Sequence, residues 1–175
     1  MLASLVLGMG LPVTASYIFL AILAAPALKQ LGVSLLAAHM IIFWYSQDAN
    51  VTPPVCLAAY SAAGIAGSRP METGLAAWKL AKGLYIIPFL FAYTPLLFEG
   101  PVSEVLITAA SATLGLLAFT VTTEGFFLRR LFPWERILVG VATLGLLWPD
   151  MRWRVLGLLI FGSLYLYQKV EKRRK

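Results

Sequence analysis

Long apolar runs, separated by short polar or proline-broken stretches, organise the whole chain. Residues 1–28 carry no charged side chain and are interrupted only at Gly8-Met9-Gly10-Leu11-Pro12. Glycine tolerates left-handed backbone angles, so a helix reaching Gly10 can stop there, and proline suits the first turn of the helix that follows. The pattern predicts a helix, a tight turn and a second helix over residues 17–28. The first arm is too short to cross a bilayer, so a re-entrant hairpin fits better than two full spans. Residues 29–34 make a polar link. Residues 35–67 are long enough to span, with a break at residues 47–54. The second half of that run is rich in small residues, among them Ala58, Ala62, Gly64 and Ala66, which let helices approach closely in lipid.

The pattern continues with a turn at Gly67-Ser68-Arg69-Pro70. Residues 73–82 read as an amphipathic segment, with Trp78 and Lys79 suited to an interface. Residues 83–98 read as a span that Pro88 and Pro95 kink. Glu99-Gly100-Pro101 makes a loop, and residues 105–123 form an uninterrupted span. A basic, aromatic loop occupies residues 129–136, followed by a short span at 137–148, a turn at Pro149-Asp150 and a last span at 153–168.

Composition gives this pattern its class. The chain has 175 residues, of which 60% are hydrophobic and 13% charged, against about 25% charged in soluble domains. Mean hydropathy is +0.83. One small core cannot bury that much apolar surface, so the expected fold is an all-α polytopic membrane protein. The net charge is +6, but no basic face with interleaved aromatics supports nucleic-acid binding. The basic residues lie in short loops and in the tail Lys169-Val170-Glu171-Lys172-Arg173-Arg174-Lys175, as positive flanks of membrane helices do. The tail also suits anionic lipid head groups.

Charge sets an expected orientation as well. Arg69, Lys79 and Lys82, then Arg129, Arg130 and Arg136, then the tail, fall on one side. Glu99, Glu104 and Asp150 fall opposite, with Arg152 and Arg154 as the one basic dissent. The positive-inside rule makes the C-terminus cytoplasmic, and the hairpin of residues 1–28 then opens from the outside. The N-terminus has no basic n-region and does not read as a signal peptide.

The candidate chemistry centres on Asp48-Ala49-Asn50-Val51-Thr52-Pro53-Pro54. Each proline lacks an N–H, and its ring clashes with the preceding turn. Backbone groups freed inside a membrane are costly unless protein or a water-filled cavity receives them. Hard cations favour oxygen ligands, which the freed carbonyls, the Thr52 hydroxyl and the Asn50 amide would supply. Asp48 adds an intramembrane carboxylate, a functional suspect by default. The plain alternative is a kinked helix whose polar groups satisfy its own backbone, with Asp48 facing water or an interface. Gly8, Gly10 and Pro12 have the same two readings: a tip exposing amides to an anion, or a packing turn.

One cysteine, Cys56, and one histidine, His39, exclude an internal disulfide and multi-cysteine or His-rich metal sites. Cys56 reads as a small packed side chain and His39 as an interfacial or packed one. With Asp48 they form the one tempting catalytic trio, at irregular spacing and without a nucleophile elbow, so no enzyme is expected.

At these residues the chain resembles the membrane subunit of the tripartite ATP-independent periplasmic (TRAP) transporters, in their TAXI-type fused permease form. The matching runs are Gly8-Met9-Gly10-Leu11-Pro12, Ala25-Pro26-Ala27-Leu28, Ala37-Ala38-His39, residues 47–59, Ala63-Gly64-Ile65-Ala66-Gly67-Ser68 and residues 88–95. Residues 8–97 carry the resemblance strongly. Pro133-Trp134-Glu135-Arg136 and Trp148-Pro149 carry it more loosely. It implies a cation-coupled secondary transporter, usually sodium-driven, that imports organic anions such as carboxylates delivered by a periplasmic binding protein. It further implies two inverted repeats, each with a re-entrant hairpin and a broken helix, moving as an elevator in a bacterial or archaeal cytoplasmic (inner) membrane.

By that resemblance, residues 1–98 are the second repeat and residues 99–175 trailing transmembrane helices with a basic tail. Gly8, Gly10 and Pro12 fall at the hairpin. Asp48, Asn50, Thr52, Pro53 and Pro54 fall at the broken helix, with sodium expected at Asn50 and Thr52 and no other cofactor. Where many relatives carry an acidic residue, this chain has the uncharged Asn50. A first repeat would precede residue 8, so the chain is expected to be the C-terminal part of a permease, as a fragment, a truncated gene model or one half of a split subunit. It would then hold half a site and need the N-terminal part as a partner. The rival from another class is a non-transporting membrane module that acts only by assembling with a partner subunit.

Overall fold

The computed structural model describes residues 12–48 and 50–173. The described residues are helical, apart from turns and one isolated bridge between Phe126 and Arg130. They fall into two compact units, Met1–Tyr93 and Thr94–Lys175.

In the first unit, Pro12 stands before helix α1 (Val13–Gln30). Its carbonyl accepts from the Ser16 amide at 2.9 Å, and its missing N–H costs nothing at a helix start. The α1 C-terminus closes as a Schellman motif. Gly32 takes φ 87°, its amide donates to the Lys29 carbonyl, and the Val33 amide donates to the Leu28 carbonyl. The Ser34 hydroxyl then accepts the Ala37 amide at 3.1 Å and caps α2 (Leu35–Asp48). Leu20 and Ala25 of α1 pack on Ile42 of α2. On the outside of α1, Ile18, Phe19, Ile22 and Leu23 stay exposed, as a lipid-facing stripe does.

Helix α3 (Leu57–Ala66) ends at Gly67, in the left-handed region at φ 64°. Pro70 then occupies the first turn of α4 (Pro70–Ala81). The expected turn at residues 67–70 is thus present, with glycine past the end of one helix and proline opening the next. α4 continues through a 3-10 turn (Lys82–Tyr85) into α5 (Ile87–Tyr93). Pro70–Tyr93 is long and apolar enough to span, and 17% of its most apolar window is buried, unlike a soluble core helix. The spanning path therefore starts at Pro70. It absorbs the segment read as amphipathic and stops short of the predicted boundary at residue 98, because Thr94 is extended ahead of a short 3-10 turn (Pro95–Leu97).

The second unit contains α6 (Val102–Glu124), α7 (Pro133–Leu147) and α8 (Met151–Arg173). α6 passes the same test for a span. Ala118, Val139, Ala142, Leu146, Phe161 and Leu164 form the shared core. Between α7 and α8 the backbones nearly touch. A Cβ at Gly145 would lie 2.7 Å from the Trp153 carbonyl oxygen, and one at Gly157 would lie 2.7 Å from the Ala142 carbonyl oxygen. Such an approach requires glycine on both sides.

Polar clasps hold the loop after α6. Arg136 donates to the Thr122 and Thr123 carbonyls at the end of α6, satisfying acceptors the helix leaves open. Arg129 grips the fully buried Glu135 with both terminal nitrogens and also reaches Glu171 on α8. Burial alone would lower the Arg129 pKa; the bonds to Glu171 and Glu135 outweigh it and hold the guanidinium above the usual arginine value.

Candidate functional site: the helix break after Asp48

Proline chemistry shapes this site twice. A helical Pro53 would drive its ring into the carbonyl four residues back, and α2 stops at Asp48. The chain turns, with Asn50 N–H donating to the Gln47 carbonyl at 3.0 Å and Val51 N–H to the Asp48 carbonyl at 3.1 Å. The Pro53–Pro54 peptide is cis. Cys56, at φ 46°, leads into α3. The break therefore covers Asn50 to Cys56 among the described residues, against 47–54 in the pattern, because α2 runs on through Gln47 and Asp48 and α3 starts only at Leu57.

The second proline acts from across the unit. Pro88 has no N–H to offer the Leu84 carbonyl, and the helix tightens to 3-10 over Lys82–Tyr85. Trp44 of α2 donates its indole N–H to the Leu84 carbonyl at 3.0 Å, and the Tyr45 hydroxyl donates to the Tyr85 carbonyl at 3.3 Å. Two acceptors released by the kink are thus satisfied by α2. The same tightened turn brings the Tyr85 hydroxyl to the Thr52 hydroxyl.

The polar side chains now separate into roles. Thr52 is buried and donates its hydroxyl to the Asp48 carbonyl at 2.6 Å. With that proton committed, it accepts from Tyr85, which leaves one lone pair. Asp48 is 3% exposed, and its Oδ2 is buried without a hydrogen-bond partner among the described residues. Tyr45 and Tyr85 both lie within its electrostatic reach. Asn50 is half-buried and turned toward Gln47 Oε1, at 3.4 Å. A cavity of about 400 Å³ opens beside Thr52 and Tyr85, lined by them with Pro53, Leu75 and Trp78. The Pro54 carbonyl accepts from the Tyr60 hydroxyl at 2.9 Å.

The break thus unites Asp48, Thr52 and Pro53, with Asn50 at its edge and Pro54 turned to Tyr60. Gly8 and Gly10 lie outside the described residues; Pro12 opens α1. Tyr85 carries no motif of its own, and its one signal in the sequence is the proline three residues on.

His39, Asp48 and Cys56 make no hydrogen bonds with one another. His39 Nδ1 pairs with the Tyr17 hydroxyl at 3.0 Å. Cys56 is fully buried against Gly74, whose Cβ, were there one, would lie 3.1 Å from Sγ. Both are packed, as their sequence setting suggests. Among the described residues no three His, Cys, Asp or Glu side chains converge on one point.

No curated protein and no solved structure matches the chain. Residues 1–99 match the profile of a family described as "Tripartite ATP-independent periplasmic transporter, DctM component". That family comprises transporter components rather than enzymes, and it agrees with the apolar spans in assigning a multi-pass membrane protein. The chain belongs to the DctM component family of tripartite ATP-independent periplasmic transporters.

Proposed function

We propose that this chain forms part of the ion- and substrate-binding region of a cation-coupled importer of organic anions. The observation that carries the reading is the buried carboxylate oxygen of Asp48 at the end of a broken helix, without a hydrogen-bond partner among the described residues. A buried charge ordinarily finds a counter-charge, and a bound cation would supply one. Sodium, as cargo, fits an oxygen-only set: Asp48, the open lone pair of Thr52, and carbonyls at the α2 C-terminus, where the helix dipole is negative. Asn50, uncharged and turned to Gln47, joins as an amide donor or ligand. The N-terminus of α3 faces the same break and favours a carboxylate substrate.

In this reading the chain is the TAXI-type, C-terminal repeat of the permease, with its hairpin around Gly8, Gly10 and Pro12 opposite the break. A periplasmic binding protein delivers the substrate, and the N-terminal part of the permease completes the site. Rigid-body movement carries ion and substrate across the inner membrane, with the C-terminal tail cytoplasmic. The test is uptake by the assembled transporter carrying Thr52→Val and Asn50→Ala. A weakened sodium requirement or a raised half-saturating sodium concentration supports the assignment. Uptake with unaltered sodium dependence removes these residues from the ion site and favours a module that serves assembly alone.

A further inference from the structure

The second unit holds a cavity of its own, about 350 Å³ in volume, where Glu104, Thr108 and Arg154 stand among the apolar side chains of Pro95, Ile107, Pro149 and Met151. That volume is at the small end for ligand pockets. Arg154 is 8% exposed, which is unusual for arginine without a charged partner. Its Nε donates to the Trp148 carbonyl and a terminal nitrogen donates to the Thr108 hydroxyl, each at 2.9 Å. These bonds fix the guanidinium but do not neutralise it, and Arg154 makes no ion pair with a carboxylate among the described residues.

The acid on the same cavity is Glu104, whose charge reaches Arg154 without direct contact. Glu104 is exposed and stands on the side formed by Pro95 and Gly100, where a Cβ at Gly100 would lie 3.7 Å from its Oε2. The guanidinium is held on the side formed by Thr108 and Trp148. The cavity therefore presents a deep cation and an outer anion, with space between them. A simple anion would be drawn by Arg154 and repelled by Glu104, and a simple cation the reverse. The complement to both is a phosphate with a primary ammonium a few atoms away. Trp148 and Trp153, 55% and 52% exposed, flank this end of the helices as tryptophans do at a membrane–water interface. Ile107 and Met151 add exposed apolar surface at the rim.

We propose that this cavity binds the headgroup of an ethanolamine phospholipid, with the phosphate on Arg154, the ammonium on Glu104 and the acyl chains leaving past Ile107 and Met151. The same headgroup chemistry exists in soluble phosphorylethanolamine; the apolar rim and the flanking tryptophans favour the lipid.

The experiment uses the full chain, purified in detergent and delipidated, then offered lipids of one acyl composition, with retained lipid counted by native mass spectrometry. Phosphatidylethanolamine should be retained over phosphatidylglycerol, which lacks the ammonium, and over phosphatidylcholine, whose ammonium has no N–H, each by about tenfold. Glu104→Gln, an exposed change, should erase the preference over phosphatidylglycerol while binding persists. Arg154→Gln should lose all three lipids; should it fail to fold, Glu104→Gln decides alone. Equal retention of the three lipids by the unaltered chain, or wild-type selectivity in Glu104→Gln, overturns the proposal. Excess soluble phosphorylethanolamine should leave the lipid bound, and equal competition by it would overturn the lipid assignment.

Discussion

Replacing Gly157 by alanine probes how the second unit is held together. The added Cβ would sit 2.7 Å from both the Ala142 carbonyl oxygen and the Leu146 amide nitrogen, and 3.0 Å from Leu146 Cγ. Two of these are backbone atoms of α7, so relief requires the helices to separate rather than a side chain to swing. Overpacking of this kind costs typically about 1–3 kcal/mol. Gly162 lies in the same helix with nothing within 4 Å of its added Cβ. Both substitutions gain the same helix propensity, about 1 kcal/mol, so comparing them isolates the contact. Gly157→Ala should be less stable than Gly162→Ala by about 3 kcal/mol if the clash stands at the upper end of that range. The assay is equilibrium unfolding of the full chain in mixed micelles of mild detergent and dodecyl sulfate. Equal stability of the two variants would refute the close crossing of α7 and α8.

Two further substitutions test the polar contacts. Arg129→Ala strands the buried Glu135 carboxylate and should cost about 3–5 kcal/mol. Glu171→Gln, at the more exposed end of the same clasp, should cost about 1 kcal/mol or less in the same unfolding assay. Tyr85→Phe should destabilise by about 1 kcal/mol, and a double-mutant cycle with Thr52→Val should return a coupling of at least about 0.5 kcal/mol; zero coupling would mean that the two hydroxyls do not meet.

Punctuation was the legible part of this sequence. Pro12, and Gly67 with Pro70, act through the local backbone, and each sits where a helix starts or stops as the pattern predicts; Pro133 instead opens α7 inside the stretch read as a loop, so that helix starts four residues before the predicted span at 137. Of the small residues in the second run, Ala59 and Ala63 are buried, whereas Ala58, Ala62, Gly64 and Ala66 are exposed, so only one face of α3 packs within the unit. What the pattern hid was non-local. Pro88 reads as a kink, but that its freed carbonyl meets Trp44 depends on a contact 40 residues away. The Thr52–Tyr85 pair spans 33 residues, and no periodicity links a threonine at one break to a tyrosine before another proline. The emphasis within the site also moved. Asn50 and Thr52 stand out in sequence because they flank the prolines, yet the unpartnered buried oxygen belongs to Asp48, which α2 carries inward on the same face as Ile41 and Tyr45. Hydrophobic pattern likewise placed a span at residues 83–98, whereas helical continuity depends on hydrogen bonds across residues 82–86 and starts the span at Pro70.

The central claim is that the break after Asp48 binds the coupling cation. Its most direct test is a sodium titration of substrate uptake by the assembled transporter carrying Asp48→Asn, which preserves shape and removes the charge. Loss of a charged ligand is expected to raise the half-saturating sodium concentration by about tenfold or more. An unchanged sodium curve at wild-type uptake would contradict the account.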